Sequence, residues 1–475
     1  MGIRTTFIGH QSWLVDIDGT AVLVDPVLTG SFGHSEQLRF EIHPARSVDV
    51  GRMPEIAAVV VTNEHLDHFH LPSLALVPVG APILLPSLTP AVCVSALRRL
   101  GHEVRLLAHG VKETVGAIDV ALLQGDPEAP IWESRVACAS LTPAGREGGV
   151  LIQSDTAIDD HPSLTSLRPE VVIATHNGQI TPAAALGAFD NLLPLGDGSR
   201  PETQGIELLD SVLNKSLEFF PHARWVLLSG GGYAQLPRKH GEFLWSSFTE
   251  LAELANKLTM KVRVVGLLPG ETADFSGTGE EVSRASWISP ADPMVPVAAS
   301  DRHSREEVDL GADLPPLFDD AVDDVARDAI WRNLDAMAPL LLNSRLGRAL
   351  VTTNSYLGEP TASHRFAIHL RGFTAGTDAV LALNINSARF EQIDLTLKEA
   401  LYGIPSGIDV NAADLAAVFT GQVHIWELAT ARMRQWYLTS RLDSPVAFLY
   451  AALSEQVRPD LAEALYRKLT ERVPG

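Results

Sequence analysis

The sequence predicts an α+β protein in two parts: a sandwich of two sheets covered by helices, then a smaller α+β domain. Three observations predict it. Over the first 268 residues, short apolar runs rich in β-branched residues alternate with stretches of helical periodicity, as in two sheets with helices outside. From residue 269 to 316 the texture changes to Gly, Pro, Ser and acids with few apolar runs, as in a linker. Beyond it, residues 317–475 resume apolar periodicity. We therefore expect a first domain over 1–268, a linker over 269–316 and a second domain over 317–475.

The elements follow in order. Residues 3–24 read as two strands joined at Asp18-Gly19, and 29–54 as a polar, Gly-containing excursion over the site. Residues 57–61 read as a buried strand, 71–76 as a helix, 82–85 as a strand and 89–100 as a helix. Strands are expected at 103–107, 118–123, 135–141, 149–153, 170–174 and 225–228. Helices are expected at 164–167, 205–220 and 243–257. In the second part we expect a helix at 322–342, strands at 349–353, 364–370 and 379–385, and helices at 412–420, 425–436, 445–455 and 459–470.

Composition excludes several classes. The 475 residues are 46% hydrophobic, enough for a sizeable core. With 37 Lys+Arg against 58 Asp+Glu, the formal charge of -21 repels nucleic acid and anionic membrane, so neither is expected as a partner. Cys93 and Cys138 lie in apolar company and read as reduced core thiols; two cysteines cannot anchor an iron–sulfur cluster. No basic-then-apolar leader and no long uncharged span appears, so a cytoplasmic protein is expected.

The chemistry gathers behind the strand at 57–61. It ends in Thr62-Asn63, and Glu64, His65, Asp67, His68 and His70 follow at once. A strand end is where ligands are most readily collected, because the sheet fixes their direction. Two imidazoles and a carboxylate within four residues suit zinc or iron. A solvated polar loop is the plainer reading, and the flanking sequence decides against it. His364 and His369 alternate with apolar residues as ordinary strand patterning, and Trp426, Trp436, Tyr437 and Phe448 read as core.

Thr62-x-x-His65-x-Asp67-His68 after an apolar strand resembles the His-x-His-x-Asp-His signature of the metallo-β-lactamase superfamily. Gly9-His10 and Asp25-Pro26 resemble the opening hairpin of one branch, which holds ascorbate-6-phosphate lactonase-like proteins and the CMP-N-acetylneuraminate hydroxylase group. Ser154-Asp155-Thr156 is similar to the family's Gly-Asp-Thr, whose Asp bridges two metals. The resemblance covers roughly the first 270 residues. It implies an αββα sandwich with His65, Asp67, His68 and Asp155 as ligands and Asp67 at the reacting centre. His10, Asp25 and Asn63 would stand behind them and orient the ligands.

The departures are equally specific. Asn63 stands where the family has its first His; the stretch 120–126 (VALLQGD) carries no imidazole; Ser229 and the glycines after it replace the last His. His176, at the end of the strand 170–174, reads equally as a ligand with a catalytic role or as a loop histidine. Asp126, Glu128 and Glu133 occupy the loop where a hydrolase would carry a third His. Oxygen in place of nitrogen shifts preference from zinc towards iron or manganese. Diiron oxygenases on this fold resemble that pattern, with a Glu ligand between the His/Asp cluster and the bridging Asp. Glu128 is the expected ligand, because Pro127 and Pro130 would stiffen its backbone, and Asp126, nearer the strand end, is the runner-up. The expected function is a metal-dependent oxidoreductase: a dinuclear iron oxygenase acting on a small metabolite in specialised metabolism, with dioxygen and an electron donor. The alternatives are a zinc-dependent hydrolase or lactonase, and a non-catalytic binding protein on a degenerate fold.

Overall fold

Tight turns at Gly9-His10 and Asp18-Gly19, all four residues at positive φ, fold the first three strands into an antiparallel meander. The computed structural model describes residues 2–125, 135–156, 164, 166–175, 191–193, 213, 220–230, 232–233, 248–259, 261–277, 279–291, 316–318, 322–354, 363–374, 377–438 and 441–471. Ile3–Gly9, Ser12–Ile17 and Thr20–Val24 pair in succession, so the stretch expected as two strands makes three. The unforeseen turn lies at Gly9-His10, where both residues take positive φ (130° and 56°). From Thr20–Val24 the sheet continues in parallel through Ala58–Val60, Ile83–Pro86 and Val104–Leu107. Parallel strands buried on both faces need near-continuous apolar runs, and Ala58–Val60 and Ile83–Pro86 have them.

The second sheet runs Lys112–Val115, Ile118–Gln124, Ala137–Pro143, Val150–Ile152, Val171–Thr175, Trp225–Ser229 and Arg263–Val265, antiparallel first and parallel after Val150–Ile152. The sheets face each other across one core that joins Phe7, Trp13, Val22 and Val60 to Val120, Leu141, Leu151 and Leu227. Ala91–Arg99 covers the outer face of the first sheet through Cys93 and Leu97. Phe248–Leu258 packs on the second through Phe248, Leu251 and Ala255. This is the sandwich covered by helices that the sequence predicts.

The stretch expected as a linker is different. Glu271–Asp274 and Glu281–Arg284 extend the first sheet beside Ile3–Gly9, and Ile288–Pro290 pairs with Arg46–Val48. Edge pairing is made by backbone hydrogen bonds, so polar side chains do not prevent it. The first part therefore runs past residue 268, through at least Ala291, whose N–H donates to Ala45 O at 2.9 Å.

The second part is a five-stranded sheet in the order Arg389–Ile393, Thr377–Asn384, His364–Thr374, Ser406–Asn411, Met433–Tyr437. Asp324–Asn343, Ala412–Phe419 and Pro445–Ala452 contribute to the core on one face. Two expectations are corrected here. Residues 345–352 are helical, with Ser344 as N-cap and Leu346 and Leu350 buried one turn apart. The helix from Ile425 stops at Arg432, because Met433–Tyr437 pairs with Ser406–Asn411 and lays Trp436 opposite Gly407.

The two parts share a core. Val27, Phe32, Leu38, Phe40, Ile42 and Leu66 of the first join Val423, Ile425 and Leu428 of the second. The expected polar excursion at 29–54 is thus largely a buried connector, carrying Ser31–Phe32 and Phe40–His43 as a small strand pair. Pro459–Glu471 packs across Ala91–Arg99, burying Tyr466 among Phe69 and Leu97, with Arg99 and Glu463 paired at 2.8 Å. Among the described residues, no helix is long and apolar enough to cross a membrane.

Candidate metal centre

Strand ends of both sheets converge on one cluster. Ala58–Val60 delivers the loop of Asn63, His65, Asp67 and His68; the meander delivers His10 and Asp25; Val150–Ile152 delivers Ser154 and Asp155. Of the residues that sequence reasoning nominates, His10, Asp25, Asn63, His65, Asp67, His68 and Asp155 meet here. Glu128 and His176, like Asp126 and Glu133, lie outside the described residues.

Asp155 is the hub. His65 Nδ1 lies 3.0 Å and His68 Nε2 3.1 Å from Asp155 Oδ2. His68 Nε2 is also 3.6 Å from Asp67 Oδ2. The other imidazole nitrogen, Nδ1, donates to Asp25 Oδ2 at 2.8 Å, which leaves Nε2 as the atom turned towards the carboxylates. Asp25 is held in turn by Thr62, whose N–H and Oγ1 donate to its two oxygens at 2.8 and 2.7 Å. Ser154 Oγ closes this shell at 2.6 Å from Thr62 Oγ1. On the far side, His10 Nε2 donates to Asp67 Oδ2 at 2.7 Å. Sequence reasoning missed Thr62 and Ser154 as supports, although both stand at named positions of the two motifs.

Among the described residues of the cluster, His65 and Asp155 keep the most exposed side-chain surface. His68 and Asp25 have no exposed side-chain surface, whereas His65 and Asp155 retain 16% and 12%. Burial pushes both imidazoles towards neutrality, but the surrounding carboxylates outweigh it and hold His68 well above, and His65 above, the usual histidine value. Burial likewise pushes Asp155 and Asp67 up; His68 and His65 overcome it at Asp155, His68 and His10 at Asp67, leaving both carboxyls below their ordinary range.

The donors fit a divalent cation in kind and in spacing. His68 Nε2 is fully buried, makes no aligned hydrogen bond, and still faces two carboxylates. A buried polar atom without a partner is costly unless something else satisfies it. Donor atoms that are each about 2.1 Å from one cation lie about 3.0–3.4 Å apart, which brackets the His65 and His68 contacts to Asp155. Among the described residues the donors still contact one another in pairs, and no three of them stand as a finished cage.

The family's missing imidazoles are replaced by inward-bonded groups. Asn63 Oδ1 accepts from His65 N at 2.9 Å, and its amide reaches Asp155 Oδ2 at 3.4 Å. Ser229 is buried, with its hydroxyl donating to Gln11 Oε1 at 2.8 Å and accepting from Trp13 Nε1 at 3.0 Å. Glu64, between Asn63 and His65, points away and accepts from Arg135 Nε at 2.8 Å.

Residues 4–135 match the family described as Beta-lactamase superfamily domain. An uncharacterized protein of Mycobacterium tuberculosis (strain H37Rv) is 33% identical over 87 residues, 18% of this chain and 23% of that protein, so the chain spans about a quarter of the relative it matches. Among solved structures, the metallo hydrolase Igni18 from Ignicoccus hospitalis is 15% identical over 58% of this chain and 100% of its own, with a TM-score of 0.37. The diiron beta-hydroxylase CmlA from Streptomyces venezuelae is 16% identical over 59% of this chain and 54% of its own, also at 0.37. At that identity these two are likenesses of fold alone. By its sandwich and the match over residues 4–135, the first part of this chain has the metallo-β-lactamase fold.

Proposed function

We propose that the cluster binds divalent metal and that the protein is a metal-dependent oxidoreductase, a dinuclear iron oxygenase acting on a small metabolite. One observation carries the metal reading: the wholly buried His68 Nε2 makes no aligned hydrogen bond, yet lies 3.6 and 3.1 Å from carboxylate oxygens of Asp67 and Asp155. Asp67, His68 and Asp155 would hold one ion, and His65 with Asp155 the other. Glu128 and His176, proposed from the sequence, would complete the set. Carboxylates then outnumber or equal imidazoles at each ion, which suits iron better than zinc. Bound iron would supply dioxygen reduction, with electrons from an external donor.

The chain's own residues do the rest. Asp25 keeps the His68 proton on Nδ1, so that Nε2 stays available as a ligand. His10 holds a proton at Nε2 against Asp67 and restrains that carboxylate from rotating. Phe32, buried and stacked on His10 at 5.2 Å, keeps water from that side, so a substrate would enter past His65 and Asp155.

A single-metal zinc hydrolase is the second reading, and Asn63 favours it. Its amide is bound within the loop, which leaves the position beside His65 short of donors among the described residues. The position formed by Asp67, His68 and Asp155 would then act alone, activating water for attack on a carbonyl or phosphoryl centre. Metal analysis of freshly purified protein decides. Two iron ions per chain with a visible charge-transfer band support the oxygenase. One colourless zinc supports the hydrolase. A chain that takes up neither metal overturns both and leaves a binding protein.

A further inference from the structure

Glu427 sits in the first turn of the helix Ile425–Arg432 and is completely buried. Its Oε2 accepts from His424 N at 3.0 Å, an ordinary capping contact for an acid at that position. Its Oε1 does something a cap does not require. It reaches the first part of the chain and accepts from His34 N at 2.6 Å, Ser35 N at 2.9 Å and Ser35 Oγ at 3.3 Å. The turn is shaped to receive it: Gly33 has φ 128°, and a Cβ there would lie 2.9 Å from Glu427 Oε1 and 2.7 Å from Leu38 O.

Two contacts run from this clamped turn to the metal loop. Gly33 O accepts from His70 Nε2 at 3.2 Å, two residues beyond His68. Phe32 stacks on His10 at 5.2 Å and 25°, and His10 holds Asp67. Trp426, next to Glu427, braces the same aromatic group, 6.1 Å from Phe32 and 5.4 Å from Phe40. A packed side chain has few alternatives, so displacement of the turn is passed on rather than absorbed.

We propose that Glu427 is a positioning residue of the metal centre: by clamping residues 33–35 it holds Phe32 against His10 and Gly33 against His70. The C-terminal part thereby sets the geometry of Asp67 and His68. Only the affinity half of the test below rests on the metal reading; the other half needs no metal.

Hydrogen exchange on metal-free protein is compared for wild type, Glu427→Ala and Tyr466→Phe. Tyr466→Phe removes the hydroxyl that donates to Glu455 at 2.7 Å but keeps the ring that packs on His34 at 5.3 Å and Phe69 at 5.8 Å, so every hydrogen bond to Glu427 keeps its partners. Glu427→Ala should speed exchange at His34 and Ser35 by about tenfold or more. It should also speed exchange at His68 and Phe69, whose N–H groups donate to His65 O. Acceleration confined to 33–35, or equal acceleration in Tyr466→Phe, overturns the proposal. Zn2+ and Fe2+ affinity, measured on the same proteins, should fall about tenfold in Glu427→Ala and stay unchanged in Tyr466→Phe. An unchanged affinity in Glu427→Ala overturns it as well. A wild type that binds neither ion sinks the metal reading while the exchange result still decides the clamp. Should Glu427→Ala fail to fold, Glu427→Gln, which keeps one oxygen for the turn, should give smaller changes at the same four amides; no change at His68 and Phe69 counts against the proposal.

Discussion

His68 and Asp25 are joined by a 2.8 Å hydrogen bond from imidazole Nδ1 to carboxylate Oδ2, with neither side chain exposed. Asp25 holds this position with φ 44°, and His10 and Ser154 beside it have φ 56° and 53°. Left-handed backbone outside glycine costs on the order of 1–3 kcal/mol per residue and persists where its surroundings enforce it. Here the enforcing partners are Thr62, the His68 ring and Asp67.

Asp25→Asn should therefore weaken metal binding about 10–100-fold. It turns one acceptor into a donor in a group that already faces Thr62 N–H, Thr62 Oγ1 and His68 Nδ1. Titration of the metal-stripped protein measures it, and an affinity equal to wild type would show that Asp25 does not orient the ligand.

Asn63→His should improve the position beside His65. The wild-type amide lies 3.4 Å from Asp155 Oδ2, so an imidazole there is within reach of the shared carboxylate. We expect Zn2+ affinity to rise and the stoichiometry to gain up to one ion per chain, read by calorimetry and elemental analysis. A stoichiometry that stays at the wild-type value with no gain in affinity would remove Asn63 from the centre.

Arg46 is a buried guanidinium whose Nε, Nη1 and Nη2 donate to Ile8 O, Thr29 O and Val27 O at 2.8, 2.7 and 2.7 Å. It pins the backbone on the far side of both His10 and Asp25. Burial lowers its pKa to about 10, which leaves it charged at neutral pH. Arg46→Met should cost about 3 kcal/mol, because three carbonyls lose their donors. Arg46→Lys, a point charge in place of a fork, should cost about half as much. Urea denaturation measures both, and a loss under about 0.5 kcal/mol for Arg46→Met would contradict the clamp.

The buried pair of His424 and Glu455, 3.0 Å apart, should make stability depend on pH. Burial lowers the His424 pKa, but Glu455 overcomes it and the net shift is upward from 6.5. Burial raises Glu455, but His424 and the Tyr466 hydroxyl bring it down from 4.5 to about 2. The raised histidine contributes fully below 6.5 and is lost as pH rises through its folded-state value. The depressed carboxyl contributes fully above 4.5 and is lost as pH falls towards 2. The stability gap between wild type and Glu455→Gln should thus be widest between pH 4.5 and 6.5. There it should be about 2 kcal/mol, shrinking towards pH 9. Glu427, Glu64 and His34, which also act on this pair, are common to both proteins. A gap that grows with pH would reverse the assignment.

A chain ending at residue 291 should not fold to a soluble, cooperative unit. It would uncover Val27, Phe32, Leu38, Phe40, Ile42 and Leu66, which now share a core with the second part. At about 1.5–3 kcal/mol per buried side chain, the loss is on the order of 10 kcal/mol, comparable to a whole domain's stability. A sharp thermal transition in the truncated chain would show that the two parts fold independently.

The sequence by itself determined what is encoded among near neighbours. Apolar runs specified most strands of the sandwich, because side-chain periodicity and backbone pairing are read within a few residues. His65, Asp67 and His68 were legible because three metal-ligating residue types crowd into four positions directly after a buried strand. Asp155, Asp25 and His10 needed the order of the family motif, since nothing in their own surroundings tells a ligand from a cap or a turn.

Tertiary structure alone decided what depends on residues far apart in the chain. Thr62 meets Ser154 across 92 residues, and Glu427 meets His34 across 393. Arg46 finds its partners in backbone carbonyls, which carry no side-chain signature. The polar stretch from 271 became sheet because an open strand edge beside Ile3–Gly9 accepted its backbone. Residues 433–437 left a helical pattern because pairing with Ser406–Asn411 outweighs a weak local preference. Propensity acts on each residue separately, whereas burial of a whole face is settled only when the distant strand arrives.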